Sequence, residues 1–184
     1  MPTSLSPGTL YLVSTPIGNL EDITYRAVRV LKAVDLIAAE DTRQTTKLCN
    51  HYDISTRRVS LHEHNESQRT PSLLKKLARG DTIAVVSDAG TPLVSDPGGT
   101  LTAEALAAGY KVVAIPGPSA VLTALASSGF SAENGFCFVG FPPHRSNNRI
   151  EFFLGLLDEP RPVVIFESPH RIIGCMTDLV GVFK

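Results

Sequence analysis

Short apolar runs alternate with stretches of helical periodicity along the first two thirds of the chain. Thr9 to Val13, Asp35 to Ala39, Val59 to Leu61, Thr82 to Val86 and Lys111 to Ile115 are compact, mostly apolar runs, and Thr82 to Val86 is the clearest of them. Between them apolar residues recur every three or four positions: Ile23, Ala27, Val30, Leu31 and Val34, then Leu73, Leu74, Leu77 and Ala78, then the Ala-rich stretch Leu101 to Ala108. A continuous apolar run suits a strand buried on both faces, and the wider spacing suits an amphipathic helix. A polar helix through Lys47 and Leu48 and an apolar one from Ala120 to Ser128 complete the series, and Gly80 and Gly109 supply stops. This alternation predicts βαβ units, and hence an α/β fold with a mostly parallel sheet and helices on both faces.

The pattern restarts at Phe136. A strand is expected over Phe136 to Gly140, a polar helix over Asn147 to Leu157, a strand over Val163 to Phe166 and a helix over Ile172 to Val182. The domain reading is therefore 1–117 for an N-terminal α/β domain carrying the ligand loops and 118–184 for part of a second α/β domain. A sheet of two strands is marginal by itself. Residues 8 to 129 are expected to form the stable unit, with residues 136 to 184 mobile or covered by a second chain.

Glycine, proline and small polar residues crowd the segments that follow strands. Ser14 to Asn19 follows the first, Ser87 to Gly99 (SDAGTPLVSDPGG) the fourth and Pro116 to Ala120 the fifth. In a parallel sheet these loops share the carboxyl edge, where ligands bind. The longest one is too rich in Ser, Asp, Gly and Pro to be turn chemistry alone. Glu40-Asp41-Thr42-Arg43 and His62-Glu63-His64-Asn65-Glu66 sit past the second and third strands, on the same edge. His62, Glu63 and His64 hint at a metal, but no third ligand is visible and none is expected. Glu167 to Arg171 follows the later strand; His170 and Arg171 suit an anionic substrate, and Ser168 and Pro169 equally suit a helix start.

Charge and motif content narrow the chemistry. Seventeen Lys and Arg against 18 Asp and Glu leave a net charge of −1, which excludes binding nucleic acid by bulk charge alone. With 43% apolar and 19% charged residues the chain is not a disordered one. No apolar run reaches the length of a membrane span, and the start MPTSLSPG is unlike a signal peptide. Cys49, Cys137 and Cys175 form no paired motif, so a reducing cytoplasm is expected. The Walker phosphate loop, GxGxxG, HExxH and GxSxG are all missing.

Taken in order, TPIGNLEDIT (15–24), EDTR (40–43), LHEHN (61–65), SDAGTPLVSDPG (87–98), PGPSA (116–120), FVGFPP (138–143) and ESPHR (167–171) resemble the ribosomal RNA small subunit methyltransferase I family, a branch of the tetrapyrrole methylase superfamily. The resemblance implies a two-domain α/β protein, S-adenosylmethionine as cofactor, and methylation of a cytidine 2′-hydroxyl in the 16S RNA of the small ribosomal subunit by a cytoplasmic homodimer. It implies cofactor contacts from Ser87, Asp88, Ala89, Gly90, Thr91, Leu93 and Val94, with Ser119 and Ala120. Family members continue for about another hundred residues, so the second domain is expected to be incomplete and full activity of this form is in question.

For the reaction itself, Glu40, Asp41 and Glu63 are the candidate proton acceptors, and Arg43 the candidate partner of a phosphate or developing oxyanion. Two other readings stand beside it. One is methylation of a tetrapyrrole ring carbon, which would favour a wider, more apolar cleft. The other is a non-catalytic RNA-binding module.

Overall fold

The computed structural model describes residues 5–183. Contacts divide the chain into two units between Ala120 and Val121. In the first unit, β1 (Thr9–Val13), β2 (Leu36–Ala39), β3 (Arg58–Ser60), β4 (Ile83–Val86) and β5 (Lys111–Ile115) form an all-parallel sheet in the order β3-β2-β4-β1-β5. The intervening helices are α1 (Tyr25–Ala33), α2 (Thr42–His51), α3 (Glu66–Ala78) and α4 (Gly99–Ala107).

The pleat sorts the apolar runs onto two faces. Tyr11, Val13, Ile37, Ala39, Ala84 and Val86 pack under Ala27, Val30 and Leu31 of α1 and Cys49 of α2. The alternate residues Leu10, Leu36, Ala38, Ile83 and Val85 pack under Leu73 and Leu77 of α3 and Leu101 and Ala105 of α4. Burial on both sides is why these strands read as unbroken apolar runs. The crossover from β1 runs over one face and that from β4 over the other. Because β1 and β4 are neighbours, a crevice opens between their carboxyl ends, the usual ligand position in such sheets.

One helix starts earlier than the apolar spacing suggests. Helix α3 starts at Glu66, well before the apolar spacing at Leu73, and carries Pro71 inside. Its first turns are polar outside and buried at Glu66 and Thr70, so no apolar period marks them. The start of β4 is locked by Asp35, whose Oδ2 accepts the backbone N–H and the hydroxyl of Thr82, both at 2.7 Å. These bonds hold the Asp35 carboxyl below its usual range.

The second unit holds α5 (Ala120–Ser127), which begins at the division, then β6 (Cys137–Phe138), α6 (Ser146–Leu154), β7 (Val163–Val164) and α7 (Ile172–Val182). β6 and β7 are parallel and shorter than the expected strands. Their backbone pairing nevertheless continues, with Val139 N–H donating to Val164 O and Phe166 N–H to Gly140 O. Arg149, only 7% exposed, pairs through Nε at 2.9 Å with Asp178, joining α6 to α7. Along α7, Ile172, Ile173, Met176 and Val180 are 41% to 82% exposed.

Leu10 is fully buried among β2, β4, α3 and α4 side chains. Leu10→Ala should cost about 2–5 kcal/mol of stability, read as a lower urea midpoint with an unchanged slope. A loss under about 1 kcal/mol would show that this face repacks freely.

Candidate functional site

The loops at the carboxyl ends of β1, β4 and β5 are bonded to one another. Thr15 and Gly90 exchange both backbone hydrogen bonds, at 2.9 and 3.0 Å. The Thr15 hydroxyl donates to Ser87 O at 3.1 Å, the Ser14 and Thr91 hydroxyls lie 3.1 Å apart, and Thr91 donates to Pro118 O at 3.1 Å. A Cβ on Gly117 would come within 2.9 Å of Ser14 Cβ, so the third loop closes on the first with no room for a side chain. These bonds make a floor of main chain and hydroxyls at the crevice between β1 and β4.

The 87–98 segment reaches this position through unusual backbone. Leu93 and Ser95 have φ of +73° and +66°, a region that costs a non-glycine residue about 1–3 kcal/mol. Gly90 has φ +86°, and a Cβ there would meet Ile17 at 3.5 Å. Gly90 is thus required for its backbone conformation rather than for open space above it. Of the cofactor candidates, Ser87 and Gly90 are buried, Thr91, Leu93, Val94 and Ser119 are half-buried, and Asp88, Ala89 and Ala120 are exposed. Leu93 tucks back towards Gly98.

The far end of the loop is held by Glu66, which is only 8% exposed. Its carboxylate accepts the N–H of Gly98 at 3.1 Å and of Leu101 at 3.0 Å. The cap of α4 is Gly98 and offers no side chain, so a carboxylate from α3 satisfies the helix start instead. The sequence reading placed Glu66 in a ligand-facing cluster; the structure makes it the brace of the main ligand loop. The one available clue was a helix start, Gly98-Gly99, with no capping side chain.

Glu40, Asp41 and Arg43 come together with Asp88. Asp88 N–H donates to Glu40 Oε2 at 3.1 Å, and Asp41 N–H donates to Asp88 Oδ1 at 3.0 Å. Asp41 caps α2 through Arg43 N–H at 2.8 Å and also takes the Arg43 guanidinium on both oxygens. Those bonds pull its carboxyl down to about 2, which makes it a poor proton acceptor. Glu40 is raised instead, chiefly by burial, partly offset by the Asp88 amide and reinforced by the charges of Asp88 and Asp41. Asp88, exposed as a residue, has a carboxyl partly withdrawn from water against the loop, and it is raised as well. Glu63 lies on an exposed turn with no hydrogen bond or ion pair among the described residues. It is His62, half-buried, whose charge is felt by Glu40.

Asp96 is the acid that the sequence reading passed over. Burial pushes its carboxyl up to about 6, opposed by a hydrogen bond from Ser87 and reinforced by Glu40 and Asp88. Nothing in the local spelling SDPG separates it from a turn residue. His62 and His64 have ring centroids 6.0 Å apart, and among the described residues no group of three or more His, Cys, Asp or Glu is placed to hold a metal. In the second unit Arg171 is spent on structure: it pairs with Glu167 at 3.0 Å and donates to Pro142 O at 2.8 Å.

The Tetrapyrrole (Corrin/Porphyrin) Methylases family model matches residues 9–181. The chain is 50% identical over 177 residues to "Ribosomal RNA small subunit methyltransferase I" of Escherichia coli O157:H7, covering 96% of this chain and 62% of that one. It is likewise 50% identical to the protein of that name from Halalkalibacterium halodurans, covering 94% of this chain and 60% of that one. The chain therefore spans about 60% of the length of the curated relatives it matches. Among solved structures, a uroporphyrin-III C-methyltransferase of Thermus thermophilus crystallised with S-adenyl homocysteine superposes with a TM-score of 0.64 at 20% identity, over 96% of this chain and 77% of that one. At that identity the likeness is one of fold.

Two outcomes are expected at this edge. Glu66→Ala leaves two amides at a buried helix start without acceptors and should cost about 2 kcal/mol or more, with faster hydrogen exchange at Gly98 and Leu101; unchanged exchange there would remove its bracing role. Asp96 binds its proton more tightly folded than unfolded, from 3.8 up to about 6. Its stabilising contribution is thus complete below pH 3.8 and is lost as pH rises through about 6. Asp96→Asn should be more stable than the parent at pH 8, and the two should converge towards pH 4, in parallel denaturant titrations. A constant gap across that range would mean that Asp96 is not held in its acid form.

Proposed function

The chain belongs to the tetrapyrrole (corrin/porphyrin) methylase family, and on that premise we propose that it serves S-adenosylmethionine-dependent methylation of a cytidine 2′-hydroxyl in 16S ribosomal RNA. The observation that carries this reading is the 50% identity to ribosomal RNA small subunit methyltransferase I proteins over almost the whole chain. The polar edge formed by Glu40, Asp41, Arg43 and Asp88 supports it over a tetrapyrrole substrate. On this reading it acts on the small ribosomal subunit in the cytoplasm as a homodimer. No described helix is long and apolar enough to cross a membrane.

The residues fit the cofactor. The floor tied by Ser14, Thr15, Gly90, Thr91 and Pro118 spends its own polar groups on holding the loops together, and beside it Ala89 offers exposed main chain and Ile17 and Val94 half-buried apolar surface for the cofactor. What S-adenosylmethionine supplies when bound is an electrophilic methyl on a positively charged sulfur. The chain's task is then to hold the ribose oxygen close and aligned. That hydroxyl is a weak nucleophile, and a base with a pKa near neutrality assists best. Asp96, held near 6, and the raised Glu40 are the carboxylates suited to accept its proton. Arg43 is 88% exposed and its pair with Asp41 faces solvent, so the guanidinium can exchange that partner for an RNA phosphate at little cost.

Small ribosomal subunits lacking the modification should accept tritium from labelled S-adenosylmethionine, recovered as a 2′-O-methyl nucleoside after digestion. Label in a corrin or porphyrin precursor, and none in RNA, would transfer the reading to the other branch of the family. Arg43→Ala should cut RNA labelling and lower the slope of RNA binding against log salt by about one unit while cofactor affinity holds. An equal fall in cofactor affinity would assign Arg43 to the wrong ligand.

A further inference from the structure

A small pocket opens beside the floor, wholly within the first unit. Its volume is about 170 Å³, and its walls are Thr15 and Pro16 of the first loop, Leu20 just ahead of α1, Thr45 and Leu48 of α2, and the carboxyl end of β4 at Ser87 and Asp88. That is room for about six waters, enough for one nucleic-acid base. Pro16, Leu20 and Leu48 supply apolar surface for the ring faces. At the mouth, Lys47 donates to Gln44 Oε1 at 2.9 Å and keeps two N–H donors free. Asp88 is oriented by the Asp41 N–H on Oδ1, and its Oδ2 has no partner among the described residues.

The geometry points to this pocket as the seat of a pyrimidine turned out of the RNA strand, with Asp88 accepting from the exocyclic amine that distinguishes cytosine from uracil. This rests on the function proposed above and deepens it, since the pocket shares Thr15 and Ser87 with the floor. Enzymes that act on a base extrude it and read its edge in a snug pocket, and here the same device would select the nucleotide whose ribose is presented. A carboxylate accepting from the cytosine amine is one of the standard base contacts. Uracil presents a carbonyl at that position, and two acceptors would face each other. The apolar walls hold the ring, and the Lys47 ammonium is placed for the acceptors on its other edge or for the flanking phosphate. Asp88 thereby moves from the cofactor set to the substrate.

The test reads binding without methyl transfer. Fluorescence anisotropy with short oligocytidylate and oligouridylate should show a preference for cytidylate of about tenfold, the usual worth of one base-edge contact. Asp88→Asn replaces the free acceptor by an amide donor and should abolish or reverse that preference, with S-adenosylmethionine affinity unchanged. Leu20→Trp, at a site 39% exposed and so tolerant of bulk, should fill the pocket and weaken both oligonucleotides about tenfold. No preference in the parent chain, an Asp88→Asn variant with the parent preference, or a loss confined to cofactor affinity would each overturn the assignment. A clear preference in a chain that labels no RNA would leave the pocket standing and remove the function proposed for it.

Discussion

The Glu66 carboxylate and the two amides it accepts, from Gly98 and Leu101, hold the position of the loop on which the site is built. One end of that loop leaves β4 and is bonded at Thr15 and Gly90. The other must turn into α4 through a glycine that has no side chain to cap the helix. Between these ends Leu93 and Ser95 sit in left-handed backbone. Such strain persists only where both ends are over-determined. A buried charge accepting two helix-start amides is a strong enough anchor for that, and it explains why a long polar loop can stand at a fixed height above the sheet edge.

The same economy recurs across the crevice. Each carboxylate at this edge has its character set by what else it is asked to do. Asp41 is saturated by the α2 amide and Arg43, and it is acidic. Glu40 and Asp96 lose water without gaining full compensation, and both are raised. Asp88 spends one oxygen on Asp41 and leaves the other without a partner among the described residues. A single sheet edge thus gathers an ion-paired Asp41, a raised Glu40 and Asp96, and an Asp88 with one oxygen unpaired, and Glu40, Asp41 and Asp88 each accept a main-chain amide.

The strands, the two-faced core and the clustering of ligand loops at one edge were legible from residue spacing. Parallel strands buried on both sides must be apolar throughout, as Leu10 to Val13 and Ile83 to Val86 are. Loops at their carboxyl ends can bring main chain against main chain where they carry glycine and short polar residues, as Thr15 and Gly90 do. The grouping of Glu40, Asp41 and Arg43 was legible for the same reason: residues that end one strand and start the next helix cannot be far apart.

What the spacing left open were contacts between distant segments. Glu66 and Glu63 stand in one polar stretch, yet Glu66 turns inward to reach residues more than thirty positions away while Glu63 faces solvent. Whether an acid braces, titrates or binds depends on which amides and charges fold against it, and those come from other βα units. Asp96 is ordinary in its own turn, and its carboxyl is pushed up to about 6 only when the fold buries it, with the charges of Glu40 and Asp88 adding to the effect. Arg171, in a motif that reads as a ligand contact, is consumed by Glu167 and the Pro142 carbonyl. Local spacing determined which residues share an edge, because strand geometry acts over a few residues. The tertiary structure decided what each does there, because burial and charge act through space.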